Sequence, residues 1–152
     1  VAVSALNTYT SASIAADDIS TGDAAVIFRG HNAVHMGDVY NNSGYPFIDA
    51  GNGGKFDGLI KFCSKTLKQI DEKSVVIPGH GPVSDYQGLA DYTEMLTIIH
   101  ERMMALIDNG ASLEDVYAAK VTKEWDKKQG NPTGFINRAY MSLTHRVLID
   151  KR

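Results

Sequence analysis

Two apolar runs, each ending in glycine and then one metal-capable side chain, constrain this fold more than any other feature. They are Val34-His35-Met36-Gly37-Asp38 and, about forty residues later, Val75-Val76-Ile77-Pro78-Gly79-His80-Gly81-Pro82. Each reads as a short strand that turns sharply at glycine, where no Cβ opposes the turn. Each turn delivers a carboxylate or an imidazole, the oxygen and nitrogen donors that a cation such as Zn²⁺ accepts.

The segments around these runs have different periods. Ala24-Ala25-Val26-Ile27-Phe28 reads as a strand, Arg29-Gly30-His31-Asn32 as a turn, and Ala33-Val34-His35-Met36 as a second strand, together a hairpin. Residues 41–54 gather Pro46, three asparagines and glycines 44, 51, 53 and 54, and read as a loop. From Lys55, the stripe Phe56, Leu59, Ile60, Cys63, Leu67 and Ile70 predicts a helix. Ser74 to Ile77 is a continuous apolar strand of the kind buried inside an α/β layer. Leu89, Tyr92, Leu96, Ile99, Met103 and Leu106 then keep helical spacing until Asn109-Gly110. Ser112 with Asp115 forms a capping-box pattern ahead of a short helix. Pro132 suits the first turn of a last helix with Phe135, Ile136, Ala139, Tyr140, Leu143 and Val147 on one face.

The order is strands, helix, strand and then several helices, so the expected class is α/β, a small sheet covered by several helices. At 152 residues the chain fits one domain. Residues 1–22, rich in Ala, Ser and Thr, read equally as an N-terminal edge strand, with Val1, Val3 and Ala5 alternating, or as an irregular segment; residues 23–152 form the domain proper.

Net charge is -3 and the pI about 5.9, which gives no basic surface for nucleic acid. Lys55, Lys61, Lys65, Lys68 and Lys73 read as a solvated helix face. No apolar run approaches the ~20 residues of a membrane span, so no membrane partner is expected. No basic residue precedes Arg29, so a leader with a basic start is not seen, and the compartment stays open. The single cysteine, Cys63, lies on an apolar helical stripe and reads as a buried, inert thiol.

Four motifs in order carry a resemblance. Thr21-Gly22-Asp23-Ala24-Ala25-Val26-Ile27-Phe28, His35-Met36-Gly37-Asp38, Tyr45-Pro46-Phe47-Ile48-Asp49 and Ile77-Pro78-Gly79-His80-Gly81-Pro82 resemble the C-terminal half of a metallo-β-lactamase-fold hydrolase, over residues 21–145. The resemblance implies half of an αββα metallo-β-lactamase-like sandwich. It also implies a cofactor, one or two zinc ions, with Asp38 as the carboxylate that bridges two metals and His80 as a ligand of the second. A carboxylate has two oxygens to span paired cations, and a neutral imidazole adds affinity without further negative charge.

The chain departs from that family in three ways. It has no His-x-His-x-Asp-His signature, and its histidines, at 31, 35, 80, 100 and 145, do not fit that pattern. Ile19 stands where the family places a further histidine. Most of the first sheet is missing, which leaves one face of the remaining sheet uncovered. Two protein ligands, Asp38 and His80, fall short of the three or four that zinc sites use, so tight zinc binding by this chain alone is not expected.

The first functional expectation is therefore a zinc-dependent hydrolase fragment with an incomplete metal site, inactive without an N-terminal half and with no catalytic residue of its own. The second is a non-catalytic module that forms a homodimer through the uncovered sheet face. A third, ranked last, rebuilds a metal site from Asp17, Asp18, Asp38 and His80. Taken singly, Asp38 also reads as a turn cap. His35 reads as a satisfied, partly buried histidine, His31 as a turn residue, and His100 and His145 as helix residues with structural or solvent-facing roles. Tyr45, Phe47 and Trp125 read either as a substrate-cleft lining or, more plainly, as core or interface packing.

Overall fold

The computed structural model describes residues 12–15 and 24–150, with side chains placed for residues 24–144. Its sheet has five strands in the order β1 (Ala12–Ala15), β2 (Ala24–Phe28), β3 (Ala33–His35), β4 (Val75–Ile77) and β5 (Ser84–Asp85). Four helices pack on or beside it: α1 (Phe56–Leu67), α2 (Tyr86–Asp108), α3 (Leu113–Ala118) and α5 (Thr133–Asp150). A single turn, α4 (Asp126–Gln129), precedes the last. Val1, Val3 and Ala5, whose alternation suggested a strand, lie outside the described residues, as do Asp17, Asp18 and Ile19. The side chain of His145 does too.

Strand register sorts the side chains onto two faces. Ile27, Val34 and Val76 sit opposite one another across β2, β3 and β4, and all are buried. Side chains in register point to the same side of a sheet, so this row faces α1 and α2. There it joins Phe56, Phe62, Cys63, Leu89, Leu96 and Ile99, each buried. The alternate rows, Val26–His35–Ile77 and Phe28–Ala33–Val75, point the other way. On that face Val26 is 37% and Val75 43% exposed.

The pairing of β3 with β4 is parallel, and the other three pairings are antiparallel. A parallel pair needs a long crossover, and the 41–54 loop with α1 supplies it. The hairpin turn between β2 and β3 is a 3₁₀ turn over Arg29–His31, closed by Asn32 in the left-handed region at φ 45°. Asn32 is held there by its own side chain, which donates to Asp71 and accepts from the Ser74 hydroxyl at 2.6 Å. This ties the hairpin turn to the entry of β4.

Helix ends follow local chemistry. Asp85 caps α2, its carboxylate accepting from the Gly88 amide at 2.8 Å. Ser112 and Asp115 form the reciprocal capping box at α3. The helix expected to reach Ile70 stops at Leu67, because the Gln69 amide turns back to the Thr66 carbonyl. Ile70 still packs against the core from beyond that end. Pro132 sits one residue before α5, where its carbonyl accepts from the Ile136 amide. α4 carries no buried residue, so no apolar period announced it.

Candidate metal-ligand pair

The two glycine turns predicted from the sequence meet at the C-terminal end of β3 and β4. Beyond the strands, the Met36 amide donates to the Ile77 carbonyl at 2.9 Å, which carries the parallel pairing one step further. The Gly79 amide then donates to the Gly37 carbonyl at 2.8 Å and to the Tyr40 carbonyl at 3.1 Å. Two residues on, the Asn42 amide donates to the His80 carbonyl at 2.9 Å. Four backbone hydrogen bonds thus zip the two segments together.

Glycine is required where they touch. A Cβ on Gly79 would lie 2.5 Å from the Asp38 Oδ1 and 2.6 Å from the Gly37 backbone. A Cβ on Gly81, which sits at φ +92°, would lie 2.8 Å from the Asn42 and Ser43 backbone. Gly37 itself turns at φ 55°. The close approach of the loops is therefore written in glycines 37, 79 and 81.

This approach brings Asp38 and His80 together. His80 Nε2 lies 3.2 Å from Asp38 Oδ1, and the side chains are 64% and 80% exposed. Bonds of about 2.0–2.2 Å to a tetrahedral zinc place neighbouring donors about 3.4 Å apart. The observed spacing is close to one edge of that tetrahedron. It also suits a direct imidazole–carboxylate hydrogen bond. The donor chemistry and spacing fit a cation, but the number does not: among the described residues no group of three or more His, Cys, Asp or Glu side chains gathers at one point. Two candidate donors, Asp38 and His80, stand together there.

The surrounding loop is tightly held. Asn41 Oδ1 accepts from the Ser43 amide and hydroxyl, and its Nδ2 donates to the Tyr45 carbonyl. Asn42 Nδ2 donates to the Pro82 carbonyl at 3.0 Å. Tyr45 anchors the loop from below. Its ring stacks on Phe135 at 5.0 Å, and its hydroxyl donates to Asp126 at 2.8 Å. Burial, followed by the hydrogen bond to Asp126, pushes this phenol well above its ordinary range.

Other candidates lie elsewhere. His35 is exposed rather than partly buried, because strand alternation puts it on the open face of the sheet. Its Nδ1 accepts from the Gly37 amide at 3.1 Å, so it braces the Asp38 turn. His31 lies in the 3₁₀ turn. His100 pairs with Asp57 at 2.6 Å, a half-buried link from α2 to the first turn of α1. Trp125 is half-buried with the Arg102 guanidinium over its ring. Phe47 is not core: it is 68% exposed, capped by Arg138 at 4.1 Å from its ring centre. Cys63 is fully buried, and desolvation pushes its thiol up to about 12. Asn41 and Asn42, which hold the paired turns, were visible only as loop residues in the sequence.

No protein-family model matches the chain, and no curated protein matches it. Among solved structures it matches part of a metallo-β-lactamase-fold enzyme, and its fold is that of part of such a domain. The match is to the stereoselective inverting sec-alkylsulfatase Pisa1 from Pseudomonas sp., with a TM-score of 0.61 and 18% identity over 78% of this chain. A double mutant of the same sulfatase gives a TM-score of 0.59 at 17% identity. The chain spans 21% of the length of each.

Proposed function

We infer that this chain carries the C-terminal portion of a metal-dependent hydrolase site and supplies two of its ligands, Asp38 and His80. The observation that carries this reading is their 3.2 Å approach across two glycine turns. Gly79 and Gly81 permit it, and the Asn41–Tyr45 loop holds it from the other side. Asp38 and His80 would help hold a divalent cation, which would polarise an ester oxygen and acidify a water molecule when bound. The chain's own part is to present one carboxylate and one imidazole, with His35 bracing the turn beneath Asp38. The remaining ligands come from an N-terminal half, and zinc is the cation that the donor set favours.

The test is reconstitution. The chain is mixed with zinc and the N-terminal half of a metallo-β-lactamase-fold hydrolase, then assayed on ester, lactone and sec-alkyl sulfate substrates. The sulfate ester is included because of the likeness to a sec-alkylsulfatase. Hydrolysis above zinc alone, lost in Asp38→Ala and His80→Ala, supports the reading. No gain over zinc alone counts against it.

The open sheet face favours a second reading, self-association. Val26, Phe28, Ala33, Val75 and Ile77 share that face with His35, and exposed apolar surface of this kind marks contact sites. A second copy placed about a two-fold axis would cover both faces at once. A clean monomer in sedimentation at high concentration would argue against it.

A further inference from the structure

The chain has two Asn-Gly pairs, Asn52-Gly53 and Asn109-Gly110. In such a pair no Cβ crowds the glycine nitrogen as it approaches the asparagine side-chain carbon. Both pairs are exposed, and both glycines turn in the left-handed region, at φ 87° and 82°. A Cβ on either would meet nothing within 4 Å, so both have open space around them. The side-chain amides are tethered alike. Asn52 Nδ2 donates to the Asp49 carboxylate at 2.8 Å, and Asn109 Nδ2 donates to the Ala105 carbonyl at 2.7 Å. Dipeptide, exposure and side-chain tether therefore do not separate the two pairs.

The backbone nitrogen does separate them. The Gly110 amide donates to the Ile107 carbonyl at 2.9 Å, and the next amide, of Ala111, reaches back to Leu106 at 3.1 Å. The buried Ile107 anchors this end of α2 in the core. The Gly53 amide makes a 3.4 Å contact with the Ala50 carbonyl, outside the ordinary range of an N–H···O bond. The 3₁₀ turn Ala50–Asn52 before it buries no residue, and a segment with few buried contacts opens at low cost. A nitrogen whose N–H sits in a good hydrogen bond is withheld from reaction, and a loosely held one is not.

We propose that Asn52 is a site of spontaneous modification, at which the Gly53 nitrogen attacks the Asn52 side-chain carbon and ammonia leaves. The new C–N bond closes a cyclic succinimide, and the Gly53 nitrogen gives its proton to the departing amide. Water then opens the ring to aspartate or isoaspartate. The product carries a carboxylate where Asn52 had a donor, so the 2.8 Å hydrogen bond to Asp49 gives way to like-charge repulsion. Isoaspartate also adds one atom to the main chain, inside a turn that Gly54 closes tightly. The Gly54 amide donates to the Asp49 carbonyl at 2.8 Å, and a Cβ on Gly54 would lie 2.8 Å from that same oxygen. The turn leads into α1 at Phe56, so the modification loosens the entry to that helix. The site is independent of the metal-ligand pair.

The experiment ages the 152-residue chain in neutral buffer, folded and in denaturant. Both pairs are followed by peptide mass spectrometry, with enzymatic methyl labelling of isoaspartate. In the folded chain Asn52 should convert about tenfold faster than Asn109, the weight of one backbone hydrogen bond. In denaturant the two should convert at similar rates, because the dipeptide is the same. Asn52→Asp, which reproduces one product, should speed amide exchange at Gly53 and Gly54 relative to α2. Equal or faster conversion of Asn109 in the folded chain would overturn the proposal. So would an Asn52 still intact in the folded chain when the denatured chain has fully converted. Unchanged exchange in Asn52→Asp would overturn the loosening of the turn.

Discussion

The amide of Gly79 donates to the carbonyl of Gly37 at 2.8 Å, and this bond between two glycine turns sets His80 beside Asp38. Their meeting is a property of two backbones that can touch because one of them has no Cβ at the contact.

Gly79→Ala should therefore do double damage. The new methyl would meet backbone atoms and the Asp38 carboxylate together, so the turns must part. The expected cost is about 1–3 kcal/mol of stability, read as a lower denaturant midpoint. Zinc affinity of the reconstituted protein should fall as well. An alanine variant with unchanged midpoint and affinity would show that the turns are slack.

Strands β2, β3 and β4, the hairpin turn, α2 and the α3 capping box were legible in the sequence because each has a local signature: an apolar run, an Asn-containing turn, apolar spacing or a reciprocal cap. β1 and the two-residue β5 had none and were not read. Asp38 and His80 were legible as chemistry, since glycine flanks both. Their contact was not, because it depends on the parallel pairing of β3 with β4, a long-range event that no local pattern encodes. The exposure of His35 was missed for the same reason. A single strand shows two faces but not which one the helices cover. α4 had no apolar residue to reveal it, and its anchor, the Tyr45–Asp126 hydrogen bond, joins residues far apart in the chain.

Tyr45→Phe removes that anchor while keeping the stack on Phe135. The loss should be about 1 kcal/mol, with faster amide exchange over Asn41–Gly44 than over α2. Exchange that quickens equally everywhere would mean the tyrosine supports the whole fold rather than this loop.

Cys63 should resist thiol reagents at pH 8 in the folded chain and react at once in denaturant. Its folded pKa, about 12, lies above the unfolded value of about 8.5. The unfolded chain thus releases this proton first as pH rises. The stabilisation is complete below about pH 8.5 and is lost between there and about pH 12, with a slope of up to about 1.4 kcal/mol per pH unit. The raised phenol of Tyr45 acts in the same direction at still higher pH. Cys63→Ala should flatten the first part of that decline, and a slope unchanged by the substitution would assign it to the tyrosines alone.

Val26→Lys with Val75→Lys should leave melting of the dilute chain within about 0.5 kcal/mol of the parent, as expected for exposed positions. Sedimentation would show any dimer of the parent lost in the variant. A dimer that persists would place the contact elsewhere than the open sheet face.

The central claim is that Asp38 and His80 are two members of a ligand set completed outside this chain. Zinc retained after exhaustive dialysis tests it most directly, measured for the chain alone and after mixing with an N-terminal half. The account predicts little retained zinc alone, and stoichiometric zinc in the mixture that disappears with Asp38→Ala or His80→Ala. Stoichiometric zinc held by the chain alone, or retention in the mixture unaffected by those substitutions, would contradict it.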